Sequence, residues 1–345
     1  MGSEPRISKA SIIRLNANTG VGKGVMNPRA AGLFALSMEV LAFHQGIARA
    51  ENDTSSAQAW DLAVSRDPRA VAMAGGDLAV GGSTGAALGN PAALAVSRAY
   101  ELEIAGNWSP EAGLAHYGGA IADSLTSRMA GGLSAHWTSF DTAGLKRSAI
   151  DVRGSAAYPL GDALSIGVAG RWLRTMDTLG NGPVGGEPVA RADAERTRLA
   201  LDAGLLLQPA TMFRLGLVAK NLLADPSFDL PRLYGAGLGL TFETVSIESS
   251  ATVNLTNPDA PRWRSGTGVG WSLAERYAVR FGYRYDQALA THAVGAGVSI
   301  ADRSGALEVG VRRDVAGPYP ATFIAVGFRV LMGALGPGDG DGSTF

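Results

Sequence analysis

"RYAVRFGYRYDQ", residues 276 to 287, carries Tyr277, Val279, Phe281, Tyr283 and Tyr285 at every second position, with Ala278, Arg280, Gly282, Arg284 and Asp286 between them. Successive side chains leave a pleated strand on opposite faces, so one face here is aromatic and aliphatic while the other is small or charged. Two environments accept such a strand. A soluble sandwich turns the apolar face to a core, whereas a membrane barrel turns it to lipid and the polar face to a wet lumen. A single stretch fits both, and its neighbours decide.

The alternation recurs from residue 99 onward. "VSIESSATVNLT" (245–256) sets Val245, Ile247, Ala251, Val253 and Leu255 against Ser246, Glu248, Ser250, Thr252 and Asn254. Before it, Tyr234, Ala236, Leu238, Leu240 and Phe242 alternate with Gly235, Gly237, Gly239 and Thr241. The pattern predicts fourteen strands, over 99–109, 111–124, 128–140, 145–159, 163–177, 196–208, 212–223, 232–243, 245–256, 262–274, 276–287, 291–302, 305–314 and 322–333. The connections alternate too. Those after even strands are tight (124–128, 160–162, 209–211, 244, 275, 303–304). Those after odd strands tend to be long and rich in Pro, Gly and Asp (177–195, 224–231, 257–261, 315–321), with the short one at Pro110 as the exception. Outer-membrane barrels have this asymmetry, with the short turns periplasmic, and an even strand count puts both ends of the barrel on that side.

Strand length separates the two environments. Runs of ten or more residues match a tilted span of the hydrocarbon core, whereas a globular strand usually has five or six. Trp108, Trp137, Trp172, Trp263, Trp271, Phe213 and Phe242 fall toward strand ends on the apolar face, as interfacial girdles do. The opposite face carries Arg153, Arg171, Arg198, Arg214, Arg264, Arg280 and Arg284, with Asp151, Asp202, Glu243, Glu248 and Asp286. The fold expected is therefore all-β, a transmembrane antiparallel β-barrel of about fourteen strands over residues 99–333. Arg153, Arg171, Arg198, Arg214, Glu248, Arg264, Arg280, Arg284 and Asp286 are expected to line its lumen.

Composition agrees. There are 47 glycines in 345 residues, nearly twice average usage and without collagen-like period, and no cysteine, which removes disulfide and thiolate chemistry. Met26-Asn27-Pro28-Arg29, the mostly apolar run Ala30–Phe43 and Ala48-Arg49-Ala50 have the order of a secretory signal peptide, here 26–50, with Glu39 atypical inside it. Residues 1–25 then read as an unassigned extension or a mis-assigned start, and 334–345 as a flexible tail. Without residues 1–50 the chain keeps 24 basic and 29 acidic residues, which speaks against nucleic acid as a partner. "NTGVGKG" (18–24) fails as a phosphate loop, because Ala17 replaces the first glycine and Gly24 the hydroxyl residue after Lys23.

Residues 51–98 do not read as strands. They include "DPRAVAMAGGDLAVGGSTGAALGNPAALA" (67–95), whose small residues suit close packing on other backbone, with a turn at Asn90-Pro91. Rows of inward glycines at 235, 237 and 239, at 266, 268 and 270, and at 295 and 297 offer room for such a segment, so 51–98 is expected to be a periplasmic or plug segment.

At this point the chain resembles a known group. A barrel of this size preceded by Arg69-Ala70, Met73-Ala74-Gly75-Gly76 and Asn90-Pro91-Ala92 is similar to the outer-membrane long-chain fatty acid transporter (FadL-like) superfamily, including PorV-type barrels. "LGLVAKNLL" (215–223) resembles a strand end common among them. Ala93-Leu94 after the Asn-Pro-Ala departs from the usual Gly-Leu. The resemblance implies a hatch inside the barrel with Arg69, Gly75, Gly76, Asn90, Pro91 and Ala92 as its motif, a Gram-negative outer-membrane location, and passive transport of hydrophobic small molecules. Its alternative is a plugged PorV-type barrel serving a secretion or assembly machine. Partners would be membrane lipid with either a hydrophobic small molecule or a protein of such a machine. Gly118-Gly119 and Gly131-Gly132 are candidate bulges for a lateral gap, though such pairs are more often simple packing glycines.

No enzyme and no cofactor are expected. Ser134 and His136 share one face of one strand, but no orienting third group accompanies them, and no close His/Asp/Glu spacing with His116 or His292 suggests a metal.

Overall fold

A computed structural model describes residues 67–82, 84–142, 145–179, 194–223, 230–259, 261–274, 276–302, 304–318 and 320–332. The extension 1–25, the signal peptide 26–50, the first part of the inner segment (51–66), most of the loops 177–195 and 224–231, and the tail 334–345 lie outside the described residues.

Three short elements come first: helix α1 (Pro68–Ala72), helix α2 (Thr84–Leu88) and a 3-10 turn η1 (Pro91–Ala95). Fourteen strands follow: β1 (Tyr100–Ser109), β2 (Leu114–Asp123), β3 (Ala130–Thr142), β4 (Leu145–Pro159), β5 (Leu164–Leu179), β6 (Ala194–Ala210), β7 (Phe213–Lys220), β8 (Leu233–Phe242), β9 (Val245–Asn254), β10 (Arg262–Leu273), β11 (Tyr277–Asp286), β12 (Thr291–Ala301), β13 (Gly305–Ala316) and β14 (Thr322–Met332). Each pairs antiparallel with its sequence neighbour, and β14 returns to β1 from Trp108↔Ile324 to Tyr100↔Met332, so the sheet is one closed barrel. Closure pairs the backbone polar groups without leaving an edge, which is what permits strands in hydrocarbon, and it excludes the two-layer sandwich.

Strand ends shift where local hydrogen bonding competes with the ladder. β2 starts at Leu114 rather than 111 because Pro110–Gly113 close a turn, with Gly113 N donating to Pro110 O at 3.1 Å. β7 ends at Lys220 rather than 223. Asn221 turns into positive φ (59°), its amide donating to Asp202 Oδ1 at 2.8 Å and its side chain to Pro231 O at 2.7 Å. β6 is longer than expected. Gly118-Gly119 and Gly131-Gly132 are packing glycines and not bulges: β2 and β3 pair without a shift from Leu114↔Phe140 to Asp123↔Gly131. Gly118 instead leaves room for the His136 ring, which an added Cβ would overlap. Register shifts occur in β12 at His292/Ala293 and in β6 between Leu207 and Ala210.

The two faces separate as the alternation requires. In the opening stretch Phe281 is 60% exposed on the outer wall, whereas Arg280, Arg284 and Asp286 are buried inside. Ile104, Leu133, Leu199, Val298 and Phe328 continue the exposed apolar wall. Trp271 and Phe242 stand near the tight-turn rim, and Trp108 and Trp263 near the opposite one. Trp137 and Trp172 lie mid-strand instead of at an end. Glu243 is in the exposed β8–β9 turn and not in the lumen.

Candidate functional site: the filled lumen

Residues 67–98 occupy the inner face of the wall. α1 packs on β11 to β14, while η1 packs on β3 to β6 across the lumen. The sequence explains each short element. Asp67 caps α1, its Oδ1 accepting from Arg69 N at 2.9 Å, with Pro68 at the first helical position. Asn90 does the same for η1, accepting from Ala92 N at 3.1 Å ahead of Pro91.

The segment approaches the wall backbone to backbone, because the wall has no side chains there. Gly268, Gly282 and Gly295 are register neighbours across β10, β11 and β12. A Cβ at Gly268 would come within 2.7 Å of the Met73 side chain, one at Gly282 would overlap the Met73 carbonyl, and one at Gly295 the Ala72 carbonyl. Gly76 would meet Gly268 N at 2.8 Å, and Gly237 the Ala79 side chain at 2.6 Å. On the far side Gly167 and Gly204, another register pair, admit Pro91-Ala92 and the Asn90 side chain. Gly75 needs its glycine for a different reason: it turns at φ +81° in open space.

Polar pegs fix the segment. Asn90 is fully buried and its Nδ2 donates to Ala79 O at 2.8 Å within the segment and to Leu205 O on β6 at 3.2 Å. Arg69 bonds Glu248 on β9 and stands 3.7 Å from Asp77. Ser250 Oγ donates to Gly76 O at 2.7 Å, and Lys220 Nζ reaches Leu88 O at 2.5 Å. Ala92 and Pro91 are buried against β5.

Around the segment the inward charges form compact clusters. Asp151 receives Arg171 at 2.9 Å and Arg153 at 3.2 Å, with Asp202 3.7 Å from Arg153. Arg280 meets Glu308 at 3.2 Å; Arg329 meets Glu103 at 3.3 Å and Glu308 at 3.5 Å; Arg284 stands 3.7 Å from Asp314. Arg264 pairs with Asp286 across β10 and β11, its Nε donating at 2.7 Å. Arg198 shares the inward parity of Asp202 but is only half-buried. Arg214 is half-buried beside Gly239 and Val80, and its Nε has no hydrogen-bond partner. Of the residues read from the sequence as lumen-lining, Arg153, Arg171, Glu248, Arg280, Arg284 and Asp286 are buried and Arg198, Arg214 and Arg264 half-buried, and they belong to separate clusters.

Several members were not singled out by sequence: Asp67, Asp77, Glu103, Glu308, Arg329 and the peg Lys220. Glu103 and Glu308 alternate with Ile104 and Val309 just as Arg280 does with Phe281, so the same signal was present. At the long-loop rim Glu111 accepts from Arg313 at 2.7 Å and from Thr322 Oγ1 at 2.8 Å, and its own backbone amide first, then Thr322 and Arg313, hold its carboxyl below the usual range. His136 Nδ1 pairs with His116 Nε2 at 3.2 Å, and Ser134 Oγ has no hydrogen-bond partner, so the two do not form a nucleophile and base. Among the described residues no group of three or more His, Cys, Asp or Glu could hold a metal.

A closed, even-stranded sheet with an apolar outer wall and a charged interior defines a transmembrane β-barrel of the bacterial outer-membrane type. No protein-family model matches the chain, and no curated protein matches it. Solved structures with the same fold include the CymD monoaromatic hydrocarbon channel, with 12% identity over 78% of this chain and 97% of that one and a TM-score of 0.61. A Pseudomonas aeruginosa FadL homologue matches with 15% identity over 77% and 97% at 0.59. The Ralstonia pickettii toluene transporter TbuX matches with 13% over 77% and 98%, also at 0.59. These likenesses are of fold.

Proposed function

We propose that this chain is a plugged outer-membrane channel for passive entry of small hydrophobic molecules, with residues 67–98 as its hatch. The observation that carries the reading is the seating of that segment. It lies on glycine backbone and is held by a few polar pegs, chiefly Asn90 and Arg69, so it fits closely yet can leave without unpicking the barrel ladder. The fold shared with a hydrocarbon channel and a toluene transporter supports the same substrate class. Gly75 and Gly76 give the turn inside the hatch, and Pro91-Ala92 seat it on β5.

Uptake of a labelled monoaromatic hydrocarbon by an outer-membrane transporter-deficient host tests the reading. Expression of this chain should raise the uptake rate, and Asn90→Ala should alter it. No uptake above the empty host would overturn it.

A second reading, a sealed barrel serving a secretion or assembly machine, draws on the lumenal charges, which neutralise one another around the segment. It expects crosslinking in native membranes to recover a stable protein partner together with no hydrocarbon uptake; recovery of the barrel alone would argue against it.

A further inference from the structure

The His136 ring that stands over Gly118 is one of a pair. His116 and His136 lie on the adjacent strands β2 and β3, with ring centroids 5.1 Å apart and planes 14° from parallel. His116 Nε2 and His136 Nδ1 share a hydrogen bond of 3.2 Å, and His116 Nδ1 bonds Thr138 Oγ1 at 2.8 Å. Both histidines share the inward parity of their strands and are buried, at 1% and 6% exposed. His292, the other described histidine, sits instead between Tyr283 and Tyr285 on the outer wall.

The charges that face the pair are already committed. Asp151 is the register partner of His136 on β4, and side chains so placed have Cβ atoms about 5 Å apart. Arg153 and Arg171 each donate to Asp151 through two nitrogens, one to Oδ1 and one to Oδ2, so its four lone-pair sites are filled. Asp202 stands 3.7 Å from Arg153. Arg147, higher on β4, is bonded to Asp177, and Glu103 on β1 to Arg329 and Thr84. The register partner of His116 on β1 is Asn107. Helix α2, which packs on β1 to β4, contains no titratable side chain. What α2 brings is its last carbonyl: Leu88 O accepts from both Arg153 Nη1 and Lys220 Nζ. Three cations, Arg153, Arg171 and Lys220, thus stand with two carboxylates, Asp151 and Asp202, and two of the three converge on the inner segment.

An imidazole gains its proton at about pH 6.5 in water, so the pair can change charge in mildly acid surroundings. One extra proton leaves the Nε2···Nδ1 bond intact, because the outer ring nitrogens hold hydrogens and the bridge keeps its own. That proton adds a cation where three already meet two carboxylates, and Asp151 can receive it only by giving up a guanidinium. With α2 seated, Arg153 and Lys220 are held together at Leu88 O and the imidazoles are shut from water. With α2 released, the cations separate and water reaches the imidazolium, so the charged pair favours release.

We infer that the His116–His136 pair is a proton switch for the inner segment, which takes up one proton in mild acid and loosens the seating of α2 and of the η1 turn packed on it. The inference rests on the reading of residues 67–98 as a hatch, and it concerns when the hatch moves rather than what passes.

Hydrogen exchange of the full chain in lipid vesicles, expressed as protection factors across a pH series, tests it. One linked proton changes the released population by at most about tenfold per pH unit. Protection of amides in 84–96 should therefore fall about tenfold from about pH 7.5 to about pH 5.5, while mid-strand amides of β10 and β11 keep theirs. In His136→Gln the fall should be absent. If that variant loses heat-modifiable gel migration and so has not folded, His116→Gln replaces it. Unchanged protection in the wild type overturns the switch. So does a fall that survives in the folded variant, which would assign the proton to a carboxylate such as Glu103, and so does an equal fall in β10 and β11. The exchange measurement needs no solute, so its failure leaves the uptake test of the transport reading untouched, and failed uptake leaves the exchange result standing.

Discussion

Truncating Asn90 separates the seating of the inner segment from the stability of the barrel. The side chain is fully buried and makes three hydrogen bonds: a cap to Ala92 N, a bond to Ala79 O within the segment, and one to Leu205 O on β6. Asn90→Ala removes an N-cap, about 1 kcal/mol. It also strips the side-chain donor from the buried Ala79 carbonyl, which costs about 1–3 kcal/mol. A combined loss of about 3 kcal/mol multiplies the locally unfolded population of the segment roughly a hundredfold, at tenfold per 1.4 kcal/mol. No rung of the fourteen-strand ladder depends on these bonds, so global unfolding should barely move. Hydrogen exchange in lipid vesicles reads both quantities: amides of 67–98 should exchange about a hundredfold faster, while mid-strand amides of β4 and β5 keep their protection. Asn90→Asp keeps the acceptor but loses both donated bonds and adds a buried charge, so it should open at least as far. Unchanged exchange across 67–98 in Asn90→Ala, or an equal loss of protection in β4 and β5, would refute the account.

Three further perturbations address other parts of the molecule. Asp151→Asn leaves Arg153 and Arg171 buried without their shared carboxylate and should cost about 3–5 kcal/mol, read as a lower unfolding temperature in detergent; an unchanged temperature would mean that Asp202 suffices. Phe281→Arg puts a charge on the lipid face in the middle of β11, and should destabilise folding into vesicles by about 2–4 kcal/mol, measured by urea titration; no effect would remove that face from the hydrocarbon. Glu111 has a lowered pKa, so its bonds to Arg313 and Thr322 contribute fully at neutral pH and are lost as pH falls through that lowered value. Exchange of the Thr322 amide, which also donates to Glu111, should accelerate there beyond its intrinsic pH dependence, and the acceleration should be absent from Glu111→Gln.

The wall was legible because its rule is local. Lipid outside and a filled lumen inside impose the same period of two on every strand, and Tyr277 to Asp286 states it in ten residues. The alternation of tight and long connections was legible for the same reason, since each tight turn is decided by its own few residues. The interior was less so. Which arginine meets which carboxylate depends on strand register and on contacts between residues far apart in sequence, such as Arg69 with Glu248, and no local pattern encodes them. Gly118 illustrates the limit: its sequence suits a bulge equally well, and only the neighbouring His136 ring explains why no side chain stands there.

Glycine and charge divide the lumen between them, and that division bears on how a hydrophobic solute would cross. Where the wall lacks side chains, at Gly268, Gly282 and Gly295, the segment fills the space with the Met73 side chain and with its own backbone at Met73 and Ala72. Where it carries them, the space goes to ion pairs such as Arg280 with Glu308 and Arg171 with Asp151. A solute forced between those pairs would separate buried charges, at several kcal/mol for each pair. Moving the segment off its glycine track breaks the pegs at Asn90, Arg69, Ser250 and Lys220 and the bonds of Thr84 to Glu101 and Glu103, of Arg153 to Leu88 O and of Ser165 to Ala92 O, separates the one ion pair of Arg69 with Glu248, and opens backbone and small side chains. On the proposed reading the route therefore follows the hatch, and substitutions at those pegs should change passage more than substitutions within the wall clusters.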